Sequence, residues 1–175
     1  MRGKELYIFV EGPDDKRFVE RVITPLLKTR YSCVRPRQYS NERHKKLKSL
    51  FNGIEENGDD CIVIGDYDRG PCITAATSRI RRRTGAGASA KVAVAVKAIE
   101  AWYLAGLDQS SRVELGINTL QETTDHISKG RFNRLIPKRY DSRVHFMIDI
   151  LRSFSVETAT MRNVSFGYFI SKYCS

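Results

Sequence analysis

The sequence predicts an α/β fold in which a parallel β-sheet is sandwiched between helices. Three short apolar runs rich in β-forming residues lie at 6–10, 61–65 and 92–96. Each run is followed by a segment whose apolar residues recur at helical spacing. Because strands that are apolar throughout are buried on both faces, their alternation with helices indicates a parallel sheet with crossover helices on either side.

The remaining elements of the first hundred residues follow from local patterns. After the strand at 6–10, helical spacing of apolar residues predicts a helix over 14–28. A second strand is predicted at 31–39, although Pro36 weakens it. Further helices are predicted at 41–57, 73–83 and 97–104.

The chain beyond residue 106 has no strong strand signal. Helical periodicity is present at 113–120, 143–152 and 166–173. We therefore expect residues 1–106 to form the α/β domain and residues 107–175 to form a C-terminal helical extension packed on the same core. A length of 175 residues suits this arrangement.

The chain is strongly basic, with 30 lysines and arginines, 20 aspartates and glutamates, and a net charge of +10. Such an excess favours a polyanionic partner, and nucleic acid, DNA before RNA, is the leading candidate. The four cysteines lack C-x-x-C spacing and the three histidines are scattered, which argues against structural zinc. Since no membrane-length apolar stretch or signal peptide is evident, we expect a cytoplasmic protein with no membrane partner.

Acidic residues follow each of the three apolar strands. Glu11 comes directly after the first strand, Asp66 and Asp68 after the second, and Glu100 after the third. Asp15 lies four residues beyond Glu11, so the two share a face if the helix begins early. Ligands of open parallel sheets bind at the carboxyl ends of the strands, and clustered carboxylates there suit Mg²⁺ or Mn²⁺. Two such ions would assist phosphodiester hydrolysis.

The ordered motifs resemble a Toprim domain, the fold of topoisomerases, bacterial primases and OLD-family nucleases. LYIFVEGPDD at 6–15 and CIVIGDYD at 61–68 match its two apolar strands, one ending in Glu and the other in D-x-D. The E-G-x-x-D form is most similar to the OLD branch. VKAIEAWYLA at 96–105 and NVSF at 163–166 resemble elements of small standalone OLD-like Toprim proteins, whose function is uncharacterised.

The resemblance implies a metal-dependent nuclease. Glu11 would be a metal ligand and a general acid or base, and Asp66 and Asp68 would bind the catalytic metal. Asp15 and Glu100 would help to hold a second metal. The resemblance also implies a role in defence against mobile elements.

A catalytic lysine and a protein partner are further implications of the resemblance. Toprim nucleases often use a lysine near the last strand, and Lys91 and Lys97 both fit that description. The sequence leaves the choice open, with Lys97 taken as the catalytic candidate. The ATPase half of OLD proteins is not recognisable here, so a separately encoded ATPase is an expected partner.

A run of arginines after the D-Y-D motif is a candidate surface for nucleic acid. Positive side chains there would neutralise substrate phosphates near the metal edge. The candidate residues are Arg69, Arg79, Arg81, Arg82 and Arg83.

Two other functions are compatible with the same residues. The chain would be a nucleic-acid-binding or regulatory subunit if it acts only with an ATPase. It would be a phosphoryl-transfer domain if Asp66 accepts a phosphoryl group beside Mg²⁺.

Overall fold

The sheet of this protein contains four parallel strands, which confirms the α/β class predicted from the sequence. The computed structural model describes residues 3–67 and 72–174. The strands are β1 (Glu5–Val10), β2 (Cys33–Gln38), β3 (Asp60–Tyr67) and β4 (Lys91–Val96). Their order is β2-β1-β3-β4, so β2, which contains Pro36, is an edge strand, a position where a sheet tolerates proline.

Helices connect the strands and, joined by loops, form the chain after β4. They are α1 (Pro13–Phe18), α2 (Thr24–Leu27), α3 (His44–Glu56), α4 (Ile73–Thr84), α5 (Ile99–Ala105), α6 (Gln109–Leu115), α7 (Lys129–Leu135), α8 (Arg143–Arg152), α9 (Val156–Arg162) and α10 (Val164–Phe169). A π-helical turn at Val19–Ile23 joins α1 to α2 just before Pro25. Because proline lacks an N–H and its ring crowds the preceding turn, the wider turn keeps the predicted helix continuous.

The helices after residue 106 agree only partly with the sequence periodicity. Helix α8 and the helical region at 166–173 are confirmed, the latter as α10 and a π-helical turn at Ile170–Cys174. The helix predicted at 113–120 is wrong, since α6 ends at Leu115 and Gly116 follows with a left-handed φ of 78°. Helices α7 and α9 were not predicted from the sequence.

The chain divides into two compact units, whose boundary differs from residue 106. Within the described residues, unit 1 comprises 3–65 and 72–94, and unit 2 comprises 66–67 and 95–174. The end of β4 and all of α5 therefore belong to the unit that contains the C-terminal helices. No helix in the described part of the chain is long and apolar enough to cross a membrane.

The core of unit 1 is built on β1, whose side chains alternate between two buried sides. Phe9 packs on Phe51 of α3 with ring centroids 4.6 Å apart, in a cluster that also contains Ile80 of α4. Gly65 of β3 allows this packing, because a Cβ there would lie 2.7 Å from Ile80. Leu6, Ile8 and Val10 alternate with Phe9 and are also buried.

The core of unit 2 is aromatic. Trp102 of α5 contacts Phe166 and Phe169 of α10, with both centroid distances at 5.4 Å. Tyr103 contacts Phe132 of α7, which in turn contacts Phe146 of α8. Helix α5 is thus surrounded by later helices, and every one of its side chains is buried.

Candidate active site

Glu11 is the first residue after β1 and is partly exposed. Its Oε1 accepts a hydrogen bond from Nη2 of Arg83 at 2.9 Å, and the Arg83 guanidinium lies 5.6 Å from the ring centroid of Tyr39. Helix α1 begins at Pro13, after Glu11. The condition under which Glu11 and Asp15 would share a helical face, an early start of the helix, is therefore not met, since only Asp15 is within α1.

Asp15 lies in the first turn of α1 and is buried. Its Oδ2 accepts a hydrogen bond from the backbone N–H of Gly12 at 3.1 Å. Glycine has no side chain to cap the helix, and the Asp15 carboxylate satisfies a free N–H there while facing the positive end of the helix dipole. One Asp15 oxygen thus has a structural role, and its proposed part in a second metal site stays a prediction.

Asp66 lies near the carboxyl end of β3 and connects that strand to α5. Its Oδ1 accepts a hydrogen bond from the backbone N–H of Ile99 at 3.0 Å. The residue at the N-cap of α5 is Ala98, which offers no side-chain acceptor, so Asp66 satisfies an N–H of the first turn. Asp68 and Arg69, two further predicted site residues, lie outside the described residues.

Lys97 adopts a strained backbone at the end of β4. Its φ is +68°, and it is the only residue other than glycine with positive φ in the described ranges 3–67 and 72–174. Its N–H donates to the carbonyl of Tyr67 at 2.9 Å. A lysine in this conformation costs about 1–3 kcal/mol, and such strain is concentrated at functional sites.

The structure separates the two candidate lysines by their positions on β4. Lys97 follows the carboxyl end of the strand and is exposed, whereas Lys91 begins the strand. Nζ of Lys91 lies 4.0 Å from Oδ2 of Asp60, which begins β3. Lys97 is therefore the lysine at the carboxyl ends of β3 and β4, where the predicted site lies.

Glu100 is completely buried in α5, and only one of its two carboxylate oxygens is satisfied. Oε1 forms an ion pair with Arg143 of α8 and lies 3.9 Å from Nζ of Lys129. Oε2 finds no hydrogen-bond donor among the described residues. A buried carboxylate oxygen without a donor is costly, so this atom is a strong candidate acceptor for a bound ligand.

A buried polar network fixes the end of β4 and the start of α5. The Ser165 hydroxyl accepts from Nε1 of Trp102 at 2.8 Å and from the N–H of Val96 at 3.3 Å, and it donates to Oδ1 of Asn163 at 2.8 Å. Asn163 also caps α10 by accepting from the N–H of Phe166. The N-V-S-F motif therefore binds the backbone just before Lys97 and the Trp102 side chain after it.

The arginines of α4 differ in how far other groups of the protein already engage their guanidinium groups. Arg81 donates to the carbonyls of Gly87 and Ala90 and so closes the loop after the helix. Arg83 is engaged with Glu11, Arg79 is partly buried, and Arg82 is exposed. Their predicted binding of nucleic acid stays a prediction.

Asp60 lies at the opposite end of β3 from Asp66 and provides a carboxylate with which Asp66 is compared below. Asp60 is 2.8 Å from Nζ of Lys4 and accepts from the Tyr31 hydroxyl at 2.7 Å. Burial acts to raise the pKa of Asp60, but the hydrogen bonds from Lys4 and Tyr31 outweigh it and the pKa is lowered. Burial and the Asp60 hydrogen bond raise the pKa of Tyr31 to about 12.

Sequence reasoning missed the partners of Glu100. Arg143, Lys129 and Asn133, which accepts a hydrogen bond from Arg143, lie on α7 and α8. Two signals pointed to them. The acidic residue within the apolar I-E-A-W run needs a buried cation, and residues 129–143 are densely basic.

Known proteins add no information about this site. No protein-family model matches the chain, and no match was found among curated proteins or solved structures. Among the described residues no group of three or more His, Cys, Asp or Glu side chains forms a metal site, although Asp68 is outside that range. The Toprim resemblance stays a prediction that depends on the motifs.

Proposed function

We propose that the chain is a Toprim-like, Mg²⁺- or Mn²⁺-dependent nuclease that hydrolyses phosphodiester bonds of nucleic acid. Glu11, Asp66 and Asp68 would hold the catalytic ion, with Asp15 and Glu100 as ligands of a second one. The fold class is compatible with this proposal, because β1 and β3 are neighbouring parallel strands that both lead into these acids.

The observation that carries the proposal lies at the junction of β4 and α5 within unit 2. This junction includes Lys97 and Glu100, and Asp66 is hydrogen-bonded to its backbone. Asp66 binds the backbone of α5 one residue before Glu100, and Glu100 has a buried oxygen without a donor. Lys97, in a strained conformation, occupies the turn that leads into the same helix. Strain and an unsatisfied buried charge both destabilise the fold, and their coincidence is typical of a functional site.

The residues of this junction, together with Asp66, suit hard divalent cations. Carboxylate oxygens are the ligands that Mg²⁺ and Mn²⁺ prefer, and the unsatisfied Oε2 of Glu100 supplies one of them. Bound ions would activate water and offset charge on the transferring phosphate. Lys97, exposed at the strand end, is able to donate a hydrogen bond to a phosphate oxygen or a proton to the leaving oxygen.

The test is cleavage of supercoiled plasmid, single-stranded DNA and structured RNA by the purified chain with Mg²⁺ or Mn²⁺. Glu11→Gln and Asp66→Asn keep the shape and one acceptor oxygen of each side chain while removing its charge. Glu56→Gln, at an exposed position of α3, is the matched control. We expect cleavage by the wild type and the control, and a loss of about 100-fold or more in both site variants.

Two outcomes would contradict the proposal. Equal cleavage by all variants would indicate a different site or a contaminant. A wild type that binds the metal but leaves every substrate uncut would favour the regulatory subunit, which requires a separately encoded ATPase.

A further inference from the structure

The stretch at 129–143, which comprises α7, a turn and the start of α8, is named here the α7–α8 basic segment. It contains six lysines and arginines and a single acidic residue, Asp141. It therefore holds half of the net charge of +10 in 15 of the 175 residues. None of the nucleic-acid contacts predicted from the sequence lies in this segment.

The positive charges of the α7–α8 basic segment are poorly neutralised. Arg134 and Lys138 are exposed and form no ion pair with any residue that the structure describes. Lys129 and Arg143 share one carboxylate, that of Glu100. Neither α7 nor α8 has an acidic residue in its first turn, where acids would be electrostatically favoured.

The backbone that carries these charges is held by specific contacts. Arg139 donates to the carbonyl of Glu114 at 2.6 Å, and its guanidinium lies 5.2 Å from the ring centroid of Tyr140. The Tyr140 hydroxyl donates to Oδ2 of Asp149 at 3.1 Å. Arg134 and Lys138 are consequently presented from a folded helix–turn–helix, which lowers the entropic cost of binding a ligand there.

The chemistry of the segment favours a phosphodiester backbone as the partner. Four of its six cations are arginines, whose planar fork matches phosphate oxygens. A helix that inserts into a membrane surface needs exposed apolar anchors, and no large hydrophobic residue between 129 and 143 is among the exposed ones in the described chain. Uncompensated positive charge without apolar anchors is typical of surfaces that follow nucleic-acid phosphates.

We infer that the α7–α8 basic segment binds the sugar–phosphate backbone of nucleic acid. This inference rests on the proposed function, because it assigns the surface that holds the substrate of that nuclease. Arg134 and Lys138 contact phosphates directly. Lys129 and Arg143 divide their charge between Glu100 and the bound backbone.

The test measures binding without cleavage, so that it does not depend on catalysis. Fluorescence anisotropy of a labelled 30-nucleotide DNA, single-stranded or duplex, is recorded in EDTA over a range of salt concentrations. Arg134→Glu with Lys138→Glu is compared with Arg21→Glu with Lys28→Glu, two exposed cations of unit 1 whose side chains also form no ion pair in the described chain. Both double variants change the net charge equally, and circular dichroism checks their folding.

We expect the α7–α8 variant to bind at least about tenfold more weakly than the control, with the salt slope of log Kd reduced by about 2. Equal weakening in both variants would overturn the inference, because it would reflect net charge alone. Wild-type affinity in the α7–α8 variant would also overturn it. The inference would also be overturned if the α7–α8 variant lost binding only to phosphatidylserine vesicles or to polyglutamate. That result would assign the segment to a membrane or to an acidic protein. Loss of cleavage in the Asp66→Asn protein with unchanged DNA binding would leave this inference standing.

Discussion

Unit 1 and unit 2 differ in how their basic residues are neutralised. In unit 1 several cations are matched by nearby carboxylates, although others, such as Arg21 and Lys28, form no ion pair in the described chain. The matched pairs are Lys4–Asp60, Arg17–Asp14, Arg35–Glu5, Lys46–Glu42 and Arg83–Glu11. In unit 2 the α7–α8 basic segment has one buried carboxylate, Glu100, for two of its cations. Net charge alone therefore does not locate a binding surface, because a cation that is already paired with a carboxylate attracts a polyanion weakly.

The largest expected effect is on the free energy of unfolding, and it tests whether unit 2 has a cooperatively packed core. Trp102→Ala removes a fully buried side chain that contacts Phe166 and Phe169, and it should lower the free energy of unfolding by about 3–5 kcal/mol. Urea denaturation followed by circular dichroism measures this loss. Tyr168→Ala, at an exposed aromatic position, is the control and should cost under about 1 kcal/mol. Similar small losses in both variants would mean that the C-terminal helices are not a cooperative core.

The next-largest effect concerns the buried ion pair between Glu100 and Arg143 in unit 2. Arg143→Met leaves the fully buried Glu100 without its closest cation, and the expected loss of stability is about 3 kcal/mol. Arg134→Met, which breaks no ion pair, should be nearly neutral. Adding Glu100→Gln to Arg143→Met should recover part of the loss, because the unpaired charge is removed. An equally unstable double variant would show that Arg143 acts through packing and not through charge.

A smaller effect is expected from the polar network of unit 2. Ser165→Ala leaves Nε1 of Trp102 without its acceptor and should cost about 1–3 kcal/mol in thermal or urea unfolding. Ser171→Ala, whose exposed hydroxyl donates only to the carbonyl of Tyr168, is the control and should cost much less. If the two serine variants were equally stable, the network would have no role in holding the end of β4.

The smallest effect concerns the paired charges of unit 1. Because its pKa is lowered, the ionised Asp60 stabilises the fold above the ordinary aspartate pKa of 3.8, and that contribution disappears as the pH falls through the lowered value. Asp60 is partly exposed, so the contribution should be under about 1 kcal/mol. Asp60→Asn should therefore flatten the acid limb of the stability–pH curve. An unchanged acid limb would mean that the pairs with Lys4 and Tyr31 contribute nothing.

Much of the α/β fold was predictable because three of its four strands contain a short run that is apolar throughout, whereas β2 contains two arginines and a glutamine. The runs at 61–65 and 92–96 needed no tertiary information to be recognised as strands, and β3 and β4 contain them. The unit boundary was not predictable. The burial of all of α5 by later helices depends on long-range packing of Trp102 and Tyr103, which periodicity does not report.

The candidate site was predictable in its residue types but not in its contacts. The positions of Asp66 and Glu100 after apolar strands indicated a ligand edge. Their hydrogen-bond partners, the N–H of Ile99 and the side chain of Arg143, are set by tertiary geometry. The positive φ of Lys97 could not be predicted either, because lysine carries no sequence signal for a left-handed backbone.

The metal binding proposed for the carboxyl end of β3 is measured by titrating Mn²⁺ into the protein in an isothermal calorimeter. Wild type, Asp66→Asn and Asp60→Asn provide a matched set, because the two aspartates lie near opposite ends of one strand. We expect Mn²⁺ binding by the wild type and by Asp60→Asn, and binding at least about tenfold weaker in Asp66→Asn. Undetectable binding by the wild type, or equal affinity in all three proteins, would contradict the proposed metal binding.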